Sequence, residues 1–312
     1  MSIRNKPERY SLLDAAKQWS KPAATLMTSV CVILIASAAH TEPWSKSFDT
    51  NFTLTQTSYS DSWAGGEAGN ISWVWNANGL FKKAMSPKFT FRNTSKLSFG
   101  QTHTQDKTTK KWASPEKSTD LIDIENLGLF TLDAYVDPFV GVRFESEFLD
   151  ASVPGLNRYF SPFKITESAG IAREFLKSEK NDLLSRLGFA LRQILTQQVT
   201  DTTAKEYETK TTNDGGIESV TDLKLTVAQN LNYTSKLTLY KALFFSKADD
   251  FKGTPQEDYW KAIDINWENG LSASVAKYVT VSLYMQLLYD KEINLKGRFK
   301  QTLALGLTYK LF

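Results

Sequence analysis

The stretch that decides the fold is GRFKQTLALGLTYKLF, residues 297–312. Side chains of a β-strand point alternately to its two faces. One face of this stretch is therefore apolar and contains Leu303, Leu305, Leu307, Tyr309 and Leu311. The other face is small with one charge and contains Ala304, Gly306, Thr308 and Lys310. This combination indicates a strand between hydrocarbon and a crowded polar lumen, and it predicts a transmembrane β-barrel.

The chain after residue 42 is a succession of similar segments with period-two patterning. Twelve segments can be delimited: 48–59, 71–81, 88–100, 121–135, 139–148, 163–176, 183–197, 219–229, 236–245, 259–276, 279–289 and 299–312. Most exceed the roughly nine to eleven residues that cross a bilayer at a tilt. We therefore predict an all-β fold, a transmembrane antiparallel up-and-down β-barrel of about twelve strands, formed by residues 40–312.

The connections between these segments alternate in length. The odd-numbered ones are mostly long and polar: 61–66, 102–119, 150–162, 199–216, 247–258 and 290–296. The even-numbered ones are short: 82–87, 136–138, 177–182, 230–235 and 277–278. Outer-membrane barrels have long extracellular loops and short periplasmic turns. The alternation thus predicts a Gram-negative outer membrane, contact with its lipid, and both chain ends in the periplasm.

Residues 182–195 leave an alternative open. Their leucines recur at helical spacing behind Asp182, a residue that can cap a helix. A helix here would leave a barrel of ten strands plus a helix. The alternating loop lengths favour a strand, and a soluble β-protein remains the other alternative.

Residues 1–39 have the pattern of a secretory signal peptide. A basic flank precedes the uncharged run 23–39, which ends in small residues, and we predict cleavage near Ala38 or Ala39. An uncleaved inner-membrane anchor is the alternative, because the run approaches the length of a span. The segment holds five basic and two acidic residues, so the rest of the chain is formally neutral and gives no electrostatic reason to bind nucleic acid. The single cysteine, Cys31, also lies in this segment.

The first hairpin carries a resemblance to a known family. Its residues Gln56, Tyr59, Trp63, Gly65, Gly66 and Glu67 stand in a Q-x-x-Y-x-x-x-W-x-G-G-E arrangement. This segment resembles the opening of an uncharacterised outer-membrane β-barrel family, a domain of unknown function that follows a signal peptide. The resemblance implies an outer-membrane location and no known activity. The C-terminal strand, ending in Phe312, is also similar to the signal read by the outer-membrane assembly machinery, although its apolar row ends at Leu311.

Charged residues of both signs occupy the face opposite the apolar rows. The candidate lumen residues are Arg92, Lys96, Arg143, Glu145, Glu147, Arg186, Arg192, Asp264 and Glu268. Because a charge at mid-bilayer on the lipid face costs about 2–4 kcal/mol, this face must be the lumen. Two interpretations remain open: an interior salt-bridge network that fills a narrow barrel, and a constriction that selects solutes by charge.

The sequence gives little support for catalysis, a cofactor or a metal. His40 lies at the signal-peptide junction, and His103 has no neighbouring serine for a triad. The acidic stretch 249–258 matches no calcium-loop spacing. We therefore predict no enzyme activity and no cofactor. The predicted function is a passive or selective pore for small polar solutes; the alternative is a closed barrel that acts through its extracellular loops in adhesion, ligand binding or envelope structure.

Overall fold

The computed structural model describes residues 43–59, 68–132, 134–153, 156–178, 180–201 and 206–311. The strands are β1 (Ser45–Thr57), β2 (Asn70–Ser86), β3 (Phe89–Thr104), β4 (Glu116–Phe130), β5 (Asp137–Ser146), β6 (Asp150–Val153), β7 (Leu156–Arg158), β8 (Phe163–Lys177), β9 (Asp182–Asp201), β10 (Glu206–Ala228), β11 (Leu231–Phe245), β12 (Ile263–Ser274), β13 (Val279–Tyr289) and β14 (Arg298–Lys310). Twelve of them close an antiparallel barrel in the order β1-β14-β13-β12-β11-β10-β9-β8-β5-β4-β3-β2. The predicted fold class is confirmed.

The segment with helical leucine spacing is a strand. Residues 182–195 belong to β9, and over these residues β9 pairs with both β8 and β10. The alternative of ten strands and a helix is therefore wrong. Leu184 and Ala190 are buried inside the barrel, whereas Leu187 and Phe189 face outward and are exposed. Two apolar sets on opposite faces of a strand thus mimic a helical stripe in the sequence.

The connections alternate in length as predicted, except between β9 and β10. Short turns join β2 to β3 and β10 to β11, while β11 and β12 are separated by a long loop that contains two short 3₁₀ turns, Ala248–Phe251 and Tyr259–Lys261. The connection between β5 and β8 contains the small hairpin of β6 and β7. We call the two ends of the barrel the long-loop end and the short-turn end.

One predicted boundary is wrong by many residues. The predicted loop 199–216 is mostly strand, because β9 extends to Asp201 and β10 begins at Glu206. These two strands pair with each other beyond the point where β8 and β11 end. The threonine-rich polar sequence predicts a loop, but a two-stranded ribbon outside the barrel wall also needs no apolar face.

The outer surface of the barrel is apolar. Large hydrophobic side chains that stand outward with much of their surface exposed include Leu54, Val140, Ile171, Leu187, Phe189, Ile217, Trp267, Leu303, Leu305 and Leu307. The inner face carries the charged and small residues. None of the helices in the described part of the chain is long and apolar enough to cross a membrane.

The interface that closes the barrel is the shortest around the ring. β1 pairs with β14 at four positions, from Asp49↔Lys310 to Phe52↔Leu307. On its other side, β1 pairs with β2 along its whole length, from Ser45↔Lys82 to Thr57↔Asn70. We refer to the β1–β14 interface as the seam.

Candidate functional site

The middle of the lumen is filled by side chains of opposite charge, which we call the central charge cluster. It consists of Lys96, Asp123, Glu125, Arg143, Arg186, Lys236 and Glu268. Each occupies an inward position of its strand, because strand alternation places every second residue on the lumen side. Six strands contribute to the cluster, β3, β4, β5, β9, β11 and β12.

The best-formed pair in the cluster joins neighbouring strands. Arg143 on β5 donates from Nε and Nη2 to the two carboxylate oxygens of Asp123 on β4, each at 2.8 Å. Arg143 also lies 3.2 Å from a carboxylate oxygen of Glu145. Both partners of the main pair are buried, at 8% and 4% exposure. Two parallel hydrogen bonds fix the guanidinium plane and strengthen the pair.

Other pairs cross the lumen. Nζ of Lys96 on β3 donates to Glu268 on β12 at 2.9 Å, and these strands are five places apart in the ring. Nζ of Lys236 on β11 lies 3.5 Å from Glu125 on β4, again five places apart. Arg186 on β9 donates to the same Glu125 at 2.8 Å. Side chains from opposite walls therefore touch at mid-height.

Most of this contact is shielded from solvent, although Lys96 keeps 30% of its side chain exposed. Exposure is 3% for Arg186 and 7% for both Lys236 and Glu268. Since charged side chains from opposite walls are in contact and shielded from water, the lumen is closed at this height. Burial of charge at such density is stable only because each charge has a partner.

A second group of charges lies toward the long-loop end. Arg192 donates from Nε to Asp214 at 2.7 Å and from Nη1 to Asp264 at 2.9 Å. Its guanidinium also lies 3.5 Å from the ring centre of Tyr240, whose hydroxyl donates to Asp214. We call these residues the mouth cluster. Nearby, Lys164 Nζ lies 2.7 Å from Glu145.

A third group lies toward the short-turn end. Lys82 on β2 donates to Glu174 on β8 at 2.8 Å, and Arg92 on β3 pairs with Asp182 on β9 at 3.3 Å. Each pair spans four places of the ring. Paired charges of opposite sign therefore occupy the lumen toward both ends as well as in the middle.

The structure places all nine candidate residues in ion pairs. Eight of them line the barrel, whereas Glu147 follows the end of β5 and pairs with Lys117. The structure therefore brings eight candidates into the lumen and puts Glu147 in the β5–β8 connection.

Several partners were not among the candidates: Lys82, Lys164, Asp182, Asp214, Asp222 and Lys236. The predicted boundaries placed Asp214, Asp182 and Lys82 in connections. The signal that identifies Asp214 is its inward parity with Glu218 and Asp222 along β10. The alternation of inward and outward residues continues through the polar start of β10, and it assigns Asp214 to the inner face.

The loops near the lumen are held by local polar contacts. Asp106 accepts hydrogen bonds from the N–H groups of Thr108 and Thr109 and from the Thr109 hydroxyl, which hold the pKa of its carboxyl below the usual value. In the β6–β7 hairpin, burial would raise the pKa of Asp150, but hydrogen bonds from Ser152 and the charge of Arg158 hold it below its usual value. Arg158 also donates to the backbone oxygen of Gln197 on β9. These loops have defined shapes.

Glu292, in the loop between β13 and β14, carries a perturbed carboxyl group. The residue as a whole is exposed, yet its carboxyl lies among protein atoms at the long-loop end. This desolvation, followed by the negative charges of Asp290 and Asp264, raises the pKa of Glu292 to about 7. The carboxyl therefore ionises near neutral pH in the folded protein.

This shift predicts a pH-dependent loss of stability. Because the folded pKa of Glu292 lies above the unfolded value, its protonated form stabilises the fold below about pH 4.5, and this contribution disappears as the pH rises through about 7. We expect the urea midpoint of the wild type to fall from pH 5 to pH 8 more than that of Glu292→Gln. Glu257→Gln, in the β11–β12 loop, is the matched control. Equal pH dependence of all three proteins would contradict the assignment.

The described residues show no group of three or more His, Cys, Asp or Glu arranged to hold a metal ion. In the acidic stretch 249–258, Asp258 pairs with Lys261 at 2.6 Å and Glu257 accepts the N–H of Gly253. His103 lies within β3, opposite Ile71 of β2.

Of the hairpin residues that carry the family resemblance, 60–67 lie outside the described residues, as do residues 1–42 and Phe312.

Comparison with known proteins places part of the chain in a family model. Residues 54–151 match a family described as a protein of unknown function, DUF3078. The match runs from the end of β1 to the start of β6 and includes the first hairpin. It agrees with the resemblance to an uncharacterised barrel family noted from the sequence. Comparison with the curated proteins gives no match.

Several solved structures are similar to this chain at low identity. An outer membrane channel from Pseudomonas putida F1 is 12% identical, with 89% of this chain and 97% of that chain covered and a TM-score of 0.38. The NanC porin is 9% identical, with 85% and 100% covered and a TM-score of 0.36. The translocator domain of the autotransporter NalP from Neisseria meningitidis is 8% identical, with 95% of each chain covered and a TM-score of 0.33.

Proposed function

We propose that this protein is an outer-membrane β-barrel that acts as a passive channel for small polar solutes, and that the central charge cluster is its gate. The membrane location is supported by the outer surface. Leu187, Phe189 and Ile217 lie on adjoining strands with about half of each side chain exposed. An apolar surface that continues around the barrel would associate in water, and hydrocarbon is the solvent that suits it.

The orientation follows from the two ends of the barrel. Long loops belong outside the cell and short turns in the periplasm, so both termini are periplasmic. Secretion through a cleaved segment 1–39 and insertion by the assembly machinery through the C-terminal strand are parts of this proposal. Exposed Leu311 follows β14 at the short-turn end, where that machinery would read it.

The ion pairs across the lumen are the observation that supports the proposed gate. A lumen that only had to be filled would be filled at lower cost by apolar side chains, since buried ion pairs are often less stable than hydrophobic replacements. Long Lys and Arg side chains can instead separate from their partners and become hydrated. The pair of Lys96 and Glu268 suits this role, because Lys96 remains 30% exposed while Glu268 is buried.

Single-channel recording in a planar lipid bilayer tests the gate. We expect the wild type to be closed most of the time with brief conducting steps, and Glu268→Gln to increase the conducting fraction by about tenfold. A tenfold change corresponds to about 1.4 kcal/mol, which loss of one charge-assisted contact supplies. Asp264→Asn should shift the ion preference of those steps toward anions, because it removes a negative charge from the mouth cluster.

Glu257→Gln, in an exposed loop, should conduct like the wild type. If folded wild type and both lumen variants give no steps, the channel proposal fails. The second candidate then stands, a closed barrel that acts through its extracellular loops in adhesion, ligand binding or envelope structure. The fixed shapes of the Asp106 turn and the β6–β7 hairpin favour it, because preorganised loops lose little entropy on binding.

A further inference from the structure

The seam is paired at the short-turn end and unpaired at the long-loop end. Its ladder ends at Phe52↔Leu307. The same register would place Thr53 opposite Gly306 and Thr57 opposite Thr302, but these residues are not paired. The facing sides of β13 and β14 are paired as far as Leu288↔Arg298. The gap therefore belongs to the seam and not to a frayed end of β14.

Side-chain contacts mark the point where pairing stops. Asn51 Nδ2 donates to the backbone oxygen of Leu307 at 3.3 Å and to Thr308 Oγ1 at 2.9 Å. Above these Asn51 contacts, 53–57 of β1 and 302–306 of β14 are not joined by a ladder, and β14 continues to Arg298 beyond the end of β1. A strand edge facing hydrocarbon needs partners for its backbone groups. An unpaired seam in the membrane is therefore a place where the two strands can part and the lumen can open sideways.

The two sides of the opening differ in polarity. On the outside, Leu54, Leu303 and Leu305 flank it, with exposures of 58%, 72% and 61%. On the inside, Lys300 Nζ reaches Thr119 Oγ1 on the far wall at 3.1 Å, which shows that the side chain points into the lumen. Arg298, two residues earlier on β14, shares that face.

These two cations differ from most of the lumen charges. Among the described residues, neither Arg298 nor Lys300 has a carboxylate within ion-pair distance, although ion pairs occupy the lumen elsewhere. The Nε atom of Arg298 is buried and has no hydrogen-bond partner in the described structure. Two positive charges that have no carboxylate partner in the described part of the chain lie next to the apolar edges of the unpaired seam, and this combination fits a negative group on an alkyl chain.

We propose that the upper seam is a lateral gate that admits an anionic amphiphile from the surrounding membrane, with its acidic head group on Arg298 and Lys300 and its tail between β1 and β14. The inference rests on the membrane-spanning part of the proposed function and not on solute conductance. A carboxylate and a phosphate head group have the same charge complementarity, and the experiment separates them. A peptide strand added to the edge of β14 would satisfy the backbone but not the two cations.

A reversible disulfide across the seam tests the gate. In a Cys31→Ser background, Thr55→Cys with Ala304→Cys places two thiols opposite each other when the seam closes in its present register. Ser282→Cys with Ala304→Cys is the matched control, because it joins β14 to its paired neighbour β13. The proteins are inserted into phosphatidylcholine vesicles. Binding is measured from the motionally restricted signal of spin-labelled stearate, phosphatidylglycerol and phosphatidylcholine.

We expect the wild type to restrict at least one anionic probe about threefold more than phosphatidylcholine, and the responding probe identifies the head group. Arg298→Gln with Lys300→Gln should reduce that excess about tenfold. The oxidised seam pair should abolish it and a reductant should restore it, while the oxidised control pair binds like the wild type. An excess that survives seam oxidation, or that survives loss of both cations, would overturn the gate. Failure of the wild type to insert would overturn the membrane location itself.

Discussion

Replacing Arg143 by methionine is expected to lower the free energy of unfolding by about 3–5 kcal/mol, the usual cost of leaving one member of a buried ion pair without its partner. Asp123, at 4% exposure, would keep its negative charge in the closed part of the lumen without the two hydrogen bonds it now accepts. Urea unfolding of the barrel in lipid vesicles, followed by tryptophan fluorescence, measures the change.

The matched control removes both charges. Arg143→Met combined with Asp123→Leu should recover most of the lost stability, because two apolar side chains of similar volume need no charged partner. A single variant as stable as the wild type would mean that water reaches Asp123, and the lumen would then be open at this height.

Leu187→Arg is expected to cost about 2–4 kcal/mol in a bilayer, because it puts a charge on the lipid face near mid-membrane. Leu187 stands outward in the middle of the membrane-crossing part of β9, opposite Ile171, with 51% of its side chain exposed. The same substitution on a protein surface in water would change stability by no more than about 0.5 kcal/mol. The same unfolding assay therefore reports the solvent that surrounds the barrel.

Thr108→Arg adds the same side chain to an exposed loop and should leave the unfolding free energy unchanged. The comparison is sharp because both sites are solvent-accessible on the isolated chain. If the two variants are equally stable, the outer surface does not face hydrocarbon, and a soluble barrel has to be considered.

Strand alternation accounts for how much of the fold could be predicted from sequence. Period-two patterning marks a strand wherever one face meets hydrocarbon, and it holds even for β9, where Leu184 and Leu187 imitate a helical stripe. Period-two patterning does not mark the ribbon of 196–201 and 206–213 as strand. A segment that lies outside both the membrane and the lumen does not need one apolar face. Boundaries there depend on backbone pairing alone.

The sequence predicts the lumen face and leaves a salt-bridge network as one of two interpretations, but it does not predict which residues pair. Alternation predicts which residues point inward, and in the structure Arg143 and Glu268 are buried in ion pairs across the inner face. It does not tell at which height each lies, because that depends on the stagger between strands around the whole ring. Lys96 and Glu268 are far apart in sequence and meet only because the ring brings β3 opposite β12. No local sequence pattern therefore predicts that the lumen is closed.

The four-position seam also determines how the barrel can form. Nearly every other barrel interface joins consecutive strands, and β5 and β8 are separated only by a small hairpin. Each can therefore form by closing a short loop, which is fast because little chain entropy is lost. The seam joins residues about 260 positions apart and depends on β14, the last strand to be synthesised. A sheet that is otherwise complete can then curl and close through a few contacts around Asn51. The short ladder of the seam, compared with the long ladder between β1 and β2, therefore indicates that the seam forms last.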